Sequence, residues 1–581
     1  MGNYRNFKLV TYFVAHAAAR AEREDLEKQI QWMEKHLRLD KVYLEPYRGE
    51  LASDAQIEMC KDVLSAHGIE VAGGITTVIP TPEGAKPKAR LFDTFCYNDP
   101  AMRERLKEVS AITARHFDEF IIDDFFFTGC TCVDCVREKE AFNRALGIQD
   151  GSWEKYRLDL MRRVSQELMI APAKSANPNC RITIKYPNWA ESYQETGYNP
   201  ESQRKMFDAI YTGTETRDPV TTDQHLPRYL SFSLMTYMES MWPGHNGGGW
   251  FDTFDMHITE HYLEQAYLTA FSKPREMMLF CFQSLLHNRF TPSLGFQLDQ
   301  LDSVLDYAGN PTGIVCYLPD HCQSEDNLQD FLGMNGLPIV LTPYFPEQAP
   351  QILLTRSSAC DPQIVEKLEA YLRVRGGTAI ITTGFLEATK DRGIARLTSI
   401  RLRDRHILAN RYRVEASDSA RCTFPYGTKP ISLPVAEFRN NATWAIVKGG
   451  HEEESYGILL RDHYCDGTLY TLSIPDAYPD LYQLPSPVIS RIREAVPVEG
   501  IWLEGPTHVS LFVYDNDTFI VYPYVMDGVQ REIGRLHVKN ADHLSIPVSG
   551  KSLQPLYTHK DESVFEVPLM PGEFVLYRIE R

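Results

Sequence analysis

The sequence predicts a (β/α)8 TIM barrel followed by a second α/β domain and an antiparallel β-domain, and three observations carry that expectation. Over about the first 290 residues, apolar strand-like runs alternate with stretches of helical periodicity, and the alternation reaches about eight repeats, the number that closes a barrel. Near residues 310–313 the pattern restarts with its own glycine-marked turns, in GIVCYLPDH and then GLPIVLTPYF. From residue 501 onward, apolar and polar residues alternate between turn signals, as in antiparallel strands with one face in water. The expected domains are residues 1–305, 306–497 and 498–581, since 581 residues are too many for one core.

Barrel strands are expected at 8–14, 41–44, 69–77, 119–125, 181–186, 209–213, near 249–251 and at 277–282, where β-branched and aromatic residues form short runs. Apolar residues recurring at helical spacing predict helices at 19–36, 54–66, 100–115 and 153–171 between them. In the second domain, strands fall in the two runs quoted above and in TAIITTG, with a helix in PQIVEKLEAYLRVRGG. A polar insertion separates these from YGILLR (456–461) and LYTLS (469–473), and a helix over 486–495 closes the domain. HVSLFVYDND, TFIVYPYV, SVFEVPLM and EFVLYRI build the terminal β-domain.

A formal charge of -18 argues against nucleic acid or an anionic membrane as partner, because both require a basic face. No apolar run reaches the roughly 18 residues of a membrane span. The N-terminal MGNYRNFKLVTYFVAHAAARAERED lacks the features of a secretory leader, and Asn6 makes a poor acylation signal, so the expected location is cytoplasmic. In that compartment the twelve cysteines are expected to be thiols or metal ligands rather than disulfides.

The chemistry concentrates in residues 119–135, where an apolar strand runs into Asp123 and Asp124 and then into a CxCxxC cluster. In a β/α barrel the carboxyl ends of the strands face the substrate, so these acids stand at the rim. Strand alternation predicts that one of the two points at the barrel axis. Glu215, just past the sixth expected strand, is their partner, with Arg217 two residues on as a binding group. Strand five ends in Lys185, Tyr186, Asn188 and Trp189, which supply hydrogen bonds and stacking, and Glu45 ends strand two as a binding residue. The HNGGGWFDTFD stretch reads as a glycine-rich loop presenting Trp250 and Asp252. Glu239 lies in a stretch of helical spacing and ranks lower. Two carboxyls flanking a sugar bond are what glycoside cleavage requires, one protonating the leaving oxygen and the other attacking carbon or activating water. Asp as nucleophile and Glu215 as acid/base in a retaining reaction is the expected arrangement.

Cys130, Cys132 and Cys135 are close enough for one metal ion, and a loop can bring Cys96 to the same side. Four thiolates make a closed, structural zinc site that would clamp the loop carrying the Asp pair. On this cysteine pattern and the order of its domains, the chain resembles the glycoside hydrolase family 42 β-galactosidases. The resemblance implies a zinc held by Cys96, Cys130, Cys132 and Cys135, a flavodoxin-like trimerisation domain after the barrel, a C-terminal antiparallel β-sandwich domain and a homotrimer. The chain departs from that family in having Asp123-Asp124 where the family has Asn-Glu, and in lacking an obvious strand-seven Glu. An acid on strand four with one on strand six is similar instead to the α-galactosidase and α-glucosidase clan. The expected function is an exo-acting glycoside hydrolase that trims terminal sugars from oligosaccharides or small glycosides. A carbohydrate-binding scaffold without turnover and a zinc-dependent amide or ester hydrolase are the alternatives.

Overall fold

A computed structural model describes residues 3–78, 91–149, 151–322, 327–417, 421–451, 453–526 and 531–581. The chain divides into two compact units, Met1–His225 with Met241–Asp302, and Leu226–Ser240 with Ser303–Arg581.

The first unit is a closed parallel barrel of β1 (Lys8–Phe13), β2 (Lys41–Tyr47), β3 (Glu70–Ile75), β4 (Glu119–Ile122), β5 (Arg181–Tyr186), β6 (Ala209–Gly213), β7 (Asn246–Asp252) and β8 (Glu276–Phe280), each paired with its neighbours in sequence and β1 with β8. The strands are buried on both sides, which is why they read as continuous apolar runs. Val10, Tyr12, Tyr43, Ala72, Ile121, Tyr211, Trp250 and Met278 interlock inside the barrel. At its amino-terminal end Lys41 Nζ pairs with Glu276 at 2.6 Å and Glu119 at 3.0 Å, and Tyr43 OH donates to both carboxylates. This cluster closes the floor and leaves the carboxyl-terminal end as the mouth.

Two expectations change here. The glycine run 247–249 is the interior of β7 rather than a loop. Glycine is needed there because a Cβ on Gly248 would stand 2.2 Å from the Glu276 carbonyl oxygen and 2.7 Å from Tyr211 OH. β4 also stops at Ile122, three residues earlier than expected, so the Asp pair sits on turn backbone and escapes strand alternation.

In the second unit, five parallel strands run in the order Ile339–Thr342, Ile314–Tyr317, Gln351–Leu354, Thr378–Thr382 and Gly467–Leu472, the 2-1-3-4-5 order of flavodoxin-like sheets. The expected polar insertion is itself sheet: Arg401–Glu415, Tyr426–Glu437 and Trp444–His451 continue the same sheet antiparallel, as does Glu454–Tyr464, which contains the expected run 456–461. Many of their side chains face water, so charged residues interrupt the apolar runs by which strands are recognised. Two antiparallel sheets, of four and six strands, form the C-terminal β-domain, and Pro311–Thr312 adds to the edge of the second. Glu239 lies on helix Leu230–Met241, at the helical spacing expected of it. Among the described residues, no helix is long and apolar enough to cross a membrane.

Gly248→Ala forces a methyl group into the Glu276 carbonyl, and is expected to lower stability by about 1–3 kcal/mol in urea unfolding, the usual cost of overpacking a core.

Candidate active site

The barrel mouth gathers its charges around one ammonium. Lys185, inside β5, is fully enclosed and places Nζ 2.7 Å from Asp124 Oδ2, 2.6 Å from Glu215 Oε1 and 3.9 Å from Asp123 Oδ1. Its Nζ also stands 4.1 Å from the centre of the Trp250 ring. Burial alone would discharge this lysine, but the surrounding carboxylates hold its pKa above the ordinary value. Glu215 comes two residues after β6, and its carbonyl oxygen accepts from Asn188 Nδ2 at 2.5 Å.

Asp123 and Asp124 have opposite environments although they are neighbours. Burial would raise the Asp123 carboxyl, but Lys185 and Arg48 outweigh it and hold the group below the usual range. Arg48 Nη2 donates to Asp123 Oδ2 at 3.0 Å and its Nε donates to Glu45 at 2.8 Å, while Thr76 Oγ1 bonds both carboxylates. Asp124 has no such clasp. Burial, reinforced by the charges of Asp123 and Glu215, overcomes Lys185 and pushes the Asp124 carboxyl up to about 7. One aspartate is therefore a fixed anion, and the other can hold a proton near neutrality.

A further ion pair sits across the mouth. Arg217 Nε and Nη2 donate to the two oxygens of Asp252 at 3.2 and 2.9 Å, and burial raises the Asp252 carboxyl to about 6 against that pull. Asp252 is the last residue of β7.

These side chains line a cavity of about 580 Å³. Of the residues singled out in the sequence, Asp123, Asp124, Lys185, Asn188, Trp189, Glu215, Arg217, Trp250 and Asp252 all face it. Glu45 and Tyr186 do not, which corrects their expected place at the substrate surface. Glu45 is enclosed behind Asp123, its oxygens taken by Tyr12 OH, Thr76 Oγ1, Arg48 and the Ala15 amide. Tyr186 is enclosed on the far side of β5, where its hydroxyl donates to Gln203. Inspection of the sequence passed over Thr76, which links two carboxylates, and the cavity walls of Phe92, Phe125, Phe127, Phe254 and Phe280. The signal available for the walls was the FFF run after the Asp pair, which reads equally well as buried strand.

Beside this site lies the thiol cluster. Cys96, Cys130, Cys132 and Cys135 place their sulfurs all within 4.8 Å of one another, an arrangement that could hold a metal ion. Cys96 is 3.7 Å from each of the other three, and Cys132 is 3.6 Å from Cys135. Asn98 Nδ2 reaches Cys135 Sγ at 3.3 Å and the Tyr156 hydroxyl at 2.6 Å, which orients it toward the sulfurs.

Residues 1–308 match a family model described as the catalytic domain of a probable glycosyl hydrolase, residues 309–477 the second domain of the uncharacterized protein SSO3021, and residues 500–579 the C-terminal domain of a probable glycosyl hydrolase. The uncharacterized protein SSO3021 of Saccharolobus solfataricus is 24% identical over 531 residues, which cover 85% of this chain and 86% of that protein. Among solved structures, the exo-β-1,4-mannosidase Op5Man5 from Opitutaceae bacterium strain TAV5 is 10% identical, with 85% of this chain and 95% of that one covered at a TM-score of 0.49. A GH5_18 protein from Bifidobacterium longum subsp. infantis is also 10% identical, covering 62% of this chain and 94% of its own at a TM-score of 0.38.

Removing Arg48 leaves Glu45 and Asp123 buried without their shared cation. Arg48→Met is expected to cost about 3–5 kcal/mol of unfolding free energy, the usual penalty for breaking a buried ion pair from one side, read by denaturant titration.

Proposed function

The chain belongs to the probable glycosyl hydrolase family whose catalytic-domain model spans residues 1–308, and from that premise we propose a retaining, exo-acting glycosidase in which Asp124 and Glu215 are the working carboxyls. The observation that carries this is their shared ammonium: with Lys185 Nζ 2.7 Å from one and 2.6 Å from the other, the bonded oxygens lie no farther apart than the two contacts laid end to end. So close an approach of the two acids supports the roughly 5–5.5 Å carboxyl separation of retaining glycosidases over the roughly 6.5–9.5 Å of inverting ones.

The electrostatics support exchanging the roles expected from the sequence. Asp124, with its carboxyl raised to about 7, gives its proton to the glycosidic oxygen as the bond from the anomeric carbon breaks and the alcohol departs. Glu215 Oε forms the new bond to that carbon. Once Glu215 is an ester, one of the charges that raise Asp124 is gone, so Asp124 ionises more readily and takes a proton from the incoming water. Attack by that water releases the sugar and restores both carboxyls. Asp123 is a positioning residue, fixed by Arg48 and Thr76 beneath Lys185. Asp252, with both oxygens on Arg217, fits recognition of a hydroxyl of the terminal ring better than attack.

We also infer a structural zinc at Cys96, Cys130, Cys132 and Cys135. A tetrahedron with Zn–S bonds of about 2.3 Å has edges of about 3.8 Å, close to the sulfur separations. Four thiolates saturate the ion, which would supply a cross-link between the loop after β4 and that after β3. The same pattern supports the likeness to family 42, and with it a homotrimer; the element pattern supports domain limits at 305 and 497, and a cytoplasmic location and a carbohydrate partner complete the reading.

Asp124→Asn and Glu215→Gln are each expected to lower kcat at least about 10³-fold on unactivated glycosides, with folding retained. Only Asp124→Asn should recover on 2,4-dinitrophenyl glycosides, whose leaving group needs no acid. Retention of wild-type turnover in both would sink the assignment. Because Asp124 must be protonated, kcat/KM should fall as pH rises through about 7. The sign for stability is the same: a carboxyl raised in the folded state favours folding at low pH, and that contribution is lost between about pH 4 and 7. The drop should be absent in Asp124→Asn.

Wild-type protein is expected to carry one zinc per chain by plasma mass spectrometry, and Cys132→Ser to lose it with a fall of several degrees in Tm. Metal-free wild type with an unchanged Tm would refute the zinc.

A further inference from the structure

The cavity has two zones of different chemistry. Its floor is polar, and the charged groups there are bonded to one another, Lys185 to Asp124 and Glu215, Arg48 to Asp123 and Arg217 to Asp252. Its upper walls are aromatic. On one side Phe92, Phe125, Phe127 and Trp189 form a connected group, with Phe92 6.2 Å from Phe125 and 6.4 Å from Phe127, Phe125 6.5 Å from Phe127 in near-parallel stacking, and Phe127 edge-on to Trp189 at 5.6 Å. On the other, Phe254 packs 6.0 Å from Phe280. Phe92 and Phe254 stay 67% and 48% exposed, although each touches other rings.

The position of this lining decides what it is for. Phe125 follows Asp124 in the chain, and Asp124 is the carboxyl placed to protonate the leaving oxygen, so the group that departs lies along the Phe92–Phe125–Phe127–Trp189 wall. A second sugar there would bring several hydroxyls that need partners on leaving water. Among the described lining residues, the polar groups outside the floor network are the side chains of Asn188, His16 and Gln224, the indole N–H of Trp189 and of Trp250 and the Cys281 thiol. Asn188 is 8% exposed with its amide on the Glu215 carbonyl, and His16 is engaged by Glu50 at 2.9 Å. A flat apolar ring loses nothing against such walls and gains stacking area.

Resting on the glycosidase reading above, we infer that the leaving-group subsite takes a planar, apolar aglycone, so that the substrate class is small glycosides of aromatic alcohols or phenols rather than saccharide chains. The reaction then returns a free sugar and an aromatic alcohol, with the Asp124 proton on the alcohol oxygen.

The test uses full-length protein and three substrates sharing whichever glycone it releases: the methyl glycoside, a disaccharide, and the 2-naphthylmethyl glycoside, whose alcohol is as poor a leaving group as the other two. Wild type should prefer the naphthylmethyl glycoside in kcat/KM by at least about tenfold, a modest discrimination for an apolar subsite. Phe92→Ala and Phe125→Ala should each shrink that preference by about tenfold. 2-Naphthalenemethanol alone should bind wild type by calorimetry and bind both variants more weakly. A disaccharide cleaved as well as or better than the naphthylmethyl glycoside, with the variants slowing all three alike, would overturn the aglycone assignment and leave the glycosidase reading standing. Binding of 2-naphthalenemethanol that depends on Phe92 and Phe125 without release of any sugar would support the subsite and overturn the catalytic reading instead. Absence of that binding would overturn the subsite.

Discussion

The ammonium of Lys185 is the contact on which the barrel mouth depends. It draws Asp124 from the turn after β4 and Glu215 from beyond β6 onto one point, with Asp123 just outside bonding distance. Several carboxylates enclosed in one cavity would otherwise repel each other and take up protons. One cation cannot satisfy them all, and the division of the rest is what differentiates them. Arg48 takes Asp123 and Arg217 takes Asp252, so Asp124 is the acid left with least compensation for its burial. Unequal pairing, rather than residue type, separates two adjacent aspartates into a fixed anion and a proton donor.

The scaffold repeats this logic. At the closed end of the barrel Lys41 lies between Glu119 and Glu276, so a second buried lysine is held by carboxylates from the starts of β4 and β8. Between the two charge clusters the interior is filled by Tyr12, Tyr43, Tyr211 and Trp250, and the narrow approach of β7 to β8 at Gly248 leaves room for Tyr211. The Trp250 ring lies under Lys185 and connects this packing to the site. Just past the Asp pair the chain enters the four-thiol cluster, which brings Cys96 together with Cys130, Cys132 and Cys135.

The second unit shows how charge is handled without chemistry. Arg493 is buried with backbone carbonyls as its acceptors, those of Asn335, Leu503, Gly505 and Pro506, and burial draws its pKa down to about 9. The guanidinium there stitches three chain segments together, whereas at the barrel mouth guanidinium groups set the ionisation of acids.

The sequence by itself determined the barrel, its strand count and most of the charged residues of the cavity, because β-strands buried on both faces must be apolar and the carboxyl ends of barrel strands are where polar residues become tolerable. The cysteine cluster was legible for a similar reason: three thiols within six residues can meet whatever the fold does. Contacts between residues far apart in sequence were decided by the tertiary structure. Glu45 ends a strand like any rim acid, yet Arg48, Thr76 and Tyr12 close over it. The glycines of β7 read as a loop because the Glu276 carbonyl that requires them comes from a neighbouring strand. The charged stretch after residue 400 read as an insertion because period-two alternation in a largely exposed sheet carries little apolar signal. Strand alternation also could not say that both aspartates would face the cavity, since that follows from where β4 ends. Local pattern reports whether a residue is buried, but which charge it meets there is set by folding partners that the pattern does not contain.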